Sequence, residues 1–367
     1  MKIALLEPFF GGSHQQWSEG LQKHSAHEIR IFSLPGRHWK WRMYGGAVSL
    51  AQQFLESGFQ PDLILATDML DLPTFLALCR KRTGQVPVAL YFHENQITYP
   101  WSPTDPDVKL QRNNQYGFIN YTSALAADVV FFNSRFHQKS FIDSLPVFLQ
   151  QFPDHQEVQR VTEIQEKSQV LPLGLDLGSL NKKQVTPKPV HPVLLWNHRW
   201  EYDKNPEDFF RVLTQLKADG ISFHLIVSGQ SYQKKPKVFA KAKSELAPEI
   251  IHFGFAKNKF TYTELLHLAD IVPVTSQQDF FGISTVEAIY CNCHPILPNR
   301  LAFPEHIPAP FRHMHLYQTT GELVEKLKAA CNEIEKIRNG PGYQNFVAHY
   351  DWSILAAEYD RHFAAMN

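Results

Sequence analysis

Along the first half of the chain, short apolar runs alternate with helix-patterned segments. The runs lack the in-out alternation of strands that face water on one side. The pattern predicts strands at residues 3–6, 28–32, 63–66, 86–92, 129–133 and 169–171, with helices between most of them. Buried parallel strands joined by right-handed crossovers make a doubly wound lobe. Over 178–192 the pattern dissolves into Asn181-Lys182-Lys183-Gln184 and the prolines Pro187, Pro189 and Pro192, which reads as an interdomain linker. Alternation then resumes, with strands expected at 193–197, 224–228, 250–253, 271–274 and 294–297 and helices at 209–218, 263–269 and 283–290. A closing helix over 351–363 has an apolar face of Trp352, Leu355, Tyr359 and Phe363, and is expected to pack back onto the first lobe. The fold class is α/β, with two doubly wound Rossmann-like domains facing each other across a cleft. The expected division is 1–180, 190–350, and 351–367 for the returning helix.

Length agrees with that division, since 367 residues exceed one ordinary core and suit two. The 36 Lys and Arg balance the 36 Asp and Glu, so any nucleic-acid partner must be held by a local patch and not by the overall field. The opening apolar run is too short for a secretory signal, and no run approaches the ~18 apolar residues of a membrane helix. Four cysteines supply neither a disulfide framework nor a paired CxxC zinc site, which points to a cytoplasmic setting without a membrane. Cys291-Asn292-Cys293-His294 and His313-Met314-His315 lack a second ligand pair and read as buried thiols and surface imidazoles. No metal or cofactor is expected.

The most informative segment is Asp279-Phe280-Phe281-Gly282-Ile283-Ser284-Thr285-Val286-Glu287, at a strand-to-helix turn. Gly282 opens the helix, whose first amides can face an anion or a sugar oxygen, and Glu287 lies about one turn inside. A carboxylate there can accept from two ribose hydroxyls. On spacing alone, a capped helix with an ordinary acidic residue explains the segment equally well. The stretch resembles the Glu-x-x-Phe-Gly-x-x-x-x-Glu signature of retaining glycosyltransferases with the GT-B fold, with Asp279 in place of the first Glu. That resemblance implies that Asp279 contacts donor-sugar hydroxyls and Glu287 the nucleotide ribose, with Phe281, Gly282 and Ile283 along the donor. Arg199 and Lys204, five apart in Trp196-Asn197-His198-Arg199-Trp200-Glu201-Tyr202-Asp203-Lys204, resemble the same family's diphosphate clamp. Fixed cations stabilise the charge gained by a departing diphosphate.

In the first lobe, Gly11-Gly12-Ser13-His14 opens a helix, and the polar cluster His93-Glu94-Asn95-Gln96 follows a strongly apolar strand. Strand C-terminal ends face the ligand in doubly wound folds. By resemblance His93 lies beside the reacting sugar, Gly12, Asn133 and Ser134 sit on the donor side, and the two clusters meet the acceptor. The absence of G-x-G-x-x-G counts against a nicotinamide or flavin enzyme. The run Arg37-His38-Trp39-Lys40-Trp41-Arg42 interleaves cations with indoles, a composition that suits RNA phosphates and splayed bases. A strand with tryptophans inward is the plainer reading.

This run, the Gly-Gly-Ser-His loop, His93-Glu94-Asn95-Gln96 with Tyr99-Pro100, and Gln115-Tyr116-Gly117 resemble the tRNA-queuosine mannosyltransferases over nearly the whole chain. The resemblance implies metal-independent transfer of mannose from GDP-mannose to queuosine at the wobble position of tRNA(Asp), with retention of configuration. A lipid, glycan or small-molecule acceptor with another sugar nucleotide, or a non-catalytic RNA-binding or sugar-nucleotide-sensing protein, are the alternative readings.

Overall fold

A computed structural model describes residues 1–102, 105–110, 112–181, 187–231 and 236–366. The chain forms two compact units, Met1–Leu175 with Tyr350–Asn367, and Asp176–His349. The first holds strands β1 (Lys2–Phe10), β2 (Glu28–Pro35), β3 (Leu63–Thr67), β4 (Val88–Phe92), β5 (Val129–Phe132) and β6 (Ser168–Val170). They form one parallel sheet in the order β2-β1-β3-β4-β5-β6. The central strands β3 and β4 are buried at every residue, whereas the edge strand β2 mixes buried and exposed positions. Helices cover both faces of such a sheet, and this is why the central runs show no polar alternation.

The second unit holds β7 (Val193–Trp196), β8 (His224–Ser228), β9 (Ile250–Gly254), β10 (Ile271–Pro273), β11 (His294–Pro298) and β12 (Leu316–Tyr317), in the order β12-β11-β10-β7-β8-β9. The two-residue β12 has no sequence signature, being shorter than any periodicity can register. In each sheet the strand order reverses beside the first strand, between β1 and β3 and between β7 and β10. Ligands of open α/β sheets bind at such reversals, beyond the C-terminal strand ends.

The chain passes between the units at Leu175/Asp176 and His349/Tyr350, so the described residues of 178–192 belong to the second. Residues 182–186 of that segment, including Lys182-Lys183-Gln184, lie outside the described residues. Beyond them Lys188 is anchored, donating to the Ala269 carbonyl and pairing with Asp270 at 2.9 Å.

The closing helix Trp352–Ala364 is part of the first unit. Its Tyr359 hydroxyl donates to the Pro172 carbonyl (2.7 Å) and accepts from Trp17 Nε1 (3.1 Å). The Trp352 indole lies so close to Gly20 and Gly174 that a Cβ on either would stand 2.1 or 2.4 Å from it. Gly174 thereby makes room for a tryptophan nearly 180 residues later in the chain.

The run Trp39-Lys40-Trp41-Arg42 is not a strand. It is the first turn of a helix, Trp39–Ser57, entered through His38 in the left-handed conformation.

Candidate functional site

In the second unit, β7 runs into Asn197-His198-Arg199 and β10 into the loop that carries Asp279 and Gly282, so both segments emerge at the strand-order reversal. Gly282 has φ +90°, a conformation that favours glycine, and turns the chain into the helix Ile283–Tyr290. Buried His306 fixes the turn from behind, its Nε2 lying 2.6 Å from the Phe281 carbonyl. Lys204 is buried and held by Asp203 (3.1 Å), Asp279 Oδ1 (3.0 Å) and the Gln278 carbonyl (2.6 Å). Burial alone would lower its pKa, but Asp279 and Asp203 outweigh burial and raise it, so the ammonium is a permanent cation. Arg199 stands beside it, with a side chain 47% exposed and paired to Glu201 at 3.2 Å.

Glu287 accepts from the Tyr262 hydroxyl (2.7 Å), and Asn197 Nδ2 ties Tyr262 to the Ser284 carbonyl (3.3 and 2.6 Å). Burial raises the pKa of Glu287 despite the Tyr262 bond. Around these groups lie buried polar atoms with no protein partner: Asn197 Oδ1, His198 Nε2, Ser276 Oγ, Gln278 Nε2, Asp279 Oδ2 and Thr285 Oγ1. A buried polar atom left unpaired costs about 1–3 kcal/mol, so such a concentration marks where a polar ligand completes the bonding.

The first unit gathers ionisable groups at its own reversal, with Glu7 on β1, His14 on the following helix Gly12–His24, Asp68 after β3 and His93 after β4. His93 donates its backbone N–H to Asp68 Oδ1 (2.7 Å), and its carbonyl accepts from Asn133 Nδ2 (2.9 Å). Asn133 Oδ1 in turn meets His137 Nδ1 at 2.9 Å, while Ser134 caps the helix Arg135–Leu149. Burial, with the nearby His14, holds the His93 imidazole neutral, and its buried Nε2 has no partner. Asn95 and Gln96 spend their hydrogen bonds on the loop itself, Asn95 Oδ1 accepting from Thr98 N (2.9 Å) and Gln96 Nε2 donating to Glu94 (2.9 Å). Gly11 is explained by packing, since its Cβ would stand 3.3 Å from Gly36 Cα; Gly12 and Ser13 are exposed at the helix start.

Glu7, His14 and His93 offer potential metal-ligand atoms within 4.8 Å of one another. Burial would lower the pKa of His14, but Glu7 Oε2, 3.1 Å from Nδ1, outweighs it and raises the value to about 9. Because the folded value lies above the ordinary 6.5, the stabilisation is full below pH 6.5 and is lost as pH rises through about 9. The melting temperature of wild type should exceed that of Glu7→Gln most below pH 6.5, with the gap shrinking towards pH 9; a pH-independent gap would contradict the ion pair.

The interleaved run divides. Lys40 is paired with Asp105 (2.6 Å) and Asp107 (2.5 Å), and Trp39 packs against Tyr116 and Trp101 at ring distances of 5.1 and 6.0 Å. Arg42 donates to the Pro35 carbonyl, whereas Arg37 is exposed and Trp41 is 63% exposed. One further expectation is corrected: His315 is not a surface imidazole but is buried against the Pro295 carbonyl (2.8 Å), and partly buried His294 bonds Tyr343 (2.6 Å). The four cysteines are buried and free.

With this geometry established, comparison identifies the chain's relatives. Residues 2–175 match the tRNA-queuosine alpha-mannosyltransferase N-terminal family, and residues 180–339 match glycosyl transferases group 1. A tRNA-queuosine alpha-mannosyltransferase of Drosophila melanogaster is 35% identical over 343 residues, covering 90% of this chain and 86% of the relative. The chain belongs to the tRNA-queuosine alpha-mannosyltransferase family. It is a glycosyltransferase of α/β, GT-B architecture. Two solved structures share that fold over 100% of both chains: Anabaena HepE in complex with UDP (TM-score 0.63, 16% identity) and sucrose-phosphate synthase from Thermosynechococcus elongatus (TM-score 0.70, 14% identity). At such identities the likeness concerns the fold alone. Among the described residues no helix is long and apolar enough to cross a membrane.

The structure gathers Arg199, Lys204, Asp279, Phe281, Gly282, Ile283 and Glu287 in one unit, and His14, His93, Glu94, Asn133 and Ser134 in the other. Sequence reasoning missed Asn197, His198, Tyr262, Glu7 and Asp68. The first two adjoin Arg199, and that adjacency is the only signal they carry; the others are recruited by folding.

Proposed function

We propose that this enzyme transfers mannose from GDP-mannose to queuosine at the wobble position of tRNA(Asp), in the cytoplasm, with retention and without a metal. The observation carrying the reading is buried Lys204 between two carboxylates, beside exposed Arg199 and a set of buried polar atoms awaiting partners. The name of the Drosophila relative supports the acceptor and the sugar. In this reading Lys204 and Arg199 stabilise the departing diphosphate, one of whose oxygens takes the acceptor proton on the same face. Glu287 grips the ribose, and Asp279 Oδ2 meets the sugar. No second carboxylate is needed as nucleophile.

The direct test supplies radiolabelled GDP-mannose, UDP-glucose or UDP-galactose to the purified protein, with bulk tRNA containing or lacking queuosine, with and without EDTA. Label in queuosine-containing tRNA from GDP-mannose alone, unaffected by EDTA, is expected. Transfer independent of queuosine, or to a lipid or small molecule instead, would replace the acceptor assignment.

Because the Lys40 charge is compensated and Trp39 is packed, the exposed members of the run should carry the RNA contact. The double change Arg37→Ala, Trp41→Ala is expected to weaken tRNA binding about tenfold or more, since one base stack alone is worth ~1–3 kcal/mol. Slow hydrolysis of the donor should persist. Unchanged tRNA affinity in a filter-binding assay would remove this surface from the interface.

A further inference from the structure

His198 carries an interaction that the clamp residues leave unassigned. The residue is buried, only 3% exposed, and its ring packs edge-on against Trp196 at 5.3 Å. Nδ1 lies 2.8 Å from the Ser284 hydroxyl, in the first turn of the helix Ile283–Tyr290. That contact fixes the ring between the end of β7 and the helix start. Nε2, the opposite ring nitrogen, is buried without a partner. Burial lowers the pKa to about 4, against the pull of Asp279, so the imidazole is neutral at physiological pH. A Ser284 hydroxyl that donates to Nδ1 places the ring's one proton on Nε2, where it becomes a donor.

The surroundings select what that donor meets. Asp279, Lys204 and Asp203 are the charges that act on the ring. Both carboxylates are engaged by Lys204. Arg199 follows directly in sequence, and Ser284 stands in the first turn of its helix, the end that favours an anion. A cation, a helix start and a neutral imidazole thus share one neighbourhood, a combination that suits an anion.

We propose that His198 is a donor-contacting residue whose Nε2–H hydrogen-bonds the diphosphate of the sugar nucleotide, with Ser284 as the positioning residue that fixes its tautomer. The proposal rests on the donor-site reading above. A neutral donor adds a directional bond without adding charge to a corner already holding Lys204 and Arg199, so it orients the leaving group without repelling its cationic neighbours.

The test is calorimetric titration of GDP and GDP-mannose into wild type, His198→Ala, His198→Gln and Ser284→Ala, with melting temperatures measured in parallel. His198→Ala should weaken GDP and GDP-mannose alike, by about 10- to 100-fold, as expected for losing a bond to a charged group. His198→Gln, whose amide N–H reaches about as far as Nε2, should recover a substantial part. Ser284→Ala, which keeps Nε2 but frees the tautomer, should lose a few-fold. Equal GDP affinity in wild type and His198→Ala overturns the proposal. So does a loss in His198→Ala that Ser284→Ala matches and His198→Gln does not relieve, because the ring would then serve only to anchor the helix. Failure of wild type to bind any nucleoside diphosphate, UDP included, would instead overturn the donor-site reading beneath it.

Discussion

Arg199→Ala is expected to lower kcat on the order of 10²- to 10³-fold while leaving the melting temperature nearly unchanged. The first half follows from removing a fixed charge from a departing diphosphate, an effect comparable to deleting one oxyanion-stabilising donor, worth roughly 3–4 kcal/mol. The second half follows from exposure. The guanidinium side chain is 47% exposed and pairs with Glu201, a surface pair worth at most about 1 kcal/mol. A cation that acts on charge developing in the transition state lowers kcat more than it raises the KM for donor. Arg199→Lys should fall between, keeping the charge and losing the planar fork. Steady-state kinetics with a parallel melting curve decide the matter: near wild-type turnover in Arg199→Ala would sink the clamp assignment.

The strands were legible for a physical reason. Every residue of β3 and β4 is buried, so each run is apolar throughout and stands out from the helical period on either side. The proposed donor loop was legible because its residues are contiguous: Asp279, Gly282 and Glu287 lie across one strand-to-helix turn whose backbone demands the glycine. Groups assembled across the chain were hidden. Tyr262 reaches Glu287 from 25 positions upstream, and Asp68 reaches His93 from the same distance upstream. The same blindness misled the reading of Lys40, whose compensating carboxylates, Asp105 and Asp107, are 65 and 67 residues distant. A local window shows a lysine among tryptophans; the fold shows a neutralised lysine at the start of a helix. The want of a side chain at Gly174 is explained by Trp352, a constraint no neighbouring residue announces.

Lys204→Met should abolish transfer and also destabilise the protein, in contrast to Arg199→Ala. The ammonium is 8% exposed and lies 3.1 Å from Asp203 and 3.0 Å from Asp279, and Asp203 is only 1% exposed. Removing one partner of a buried ion pair leaves uncompensated charge, which costs about 3–5 kcal/mol. For a domain of this size that corresponds to a fall in melting temperature on the order of 10 °C. Two carboxylates that shared one cation then repel each other. In wild type the pKa of Lys204 is raised above its ordinary 10.5, so its contribution is complete at neutral pH and fades only under strong alkali. The double variant Lys204→Met, Asp203→Asn should recover stability by removing one of the stranded charges, yet remain inactive because the cation facing the diphosphate is still missing. Stability and turnover that return together in the double variant would mean that Lys204 holds the loop and takes no part in the chemistry, and the leaving-group charge would then fall to Arg199 and the helix amides alone.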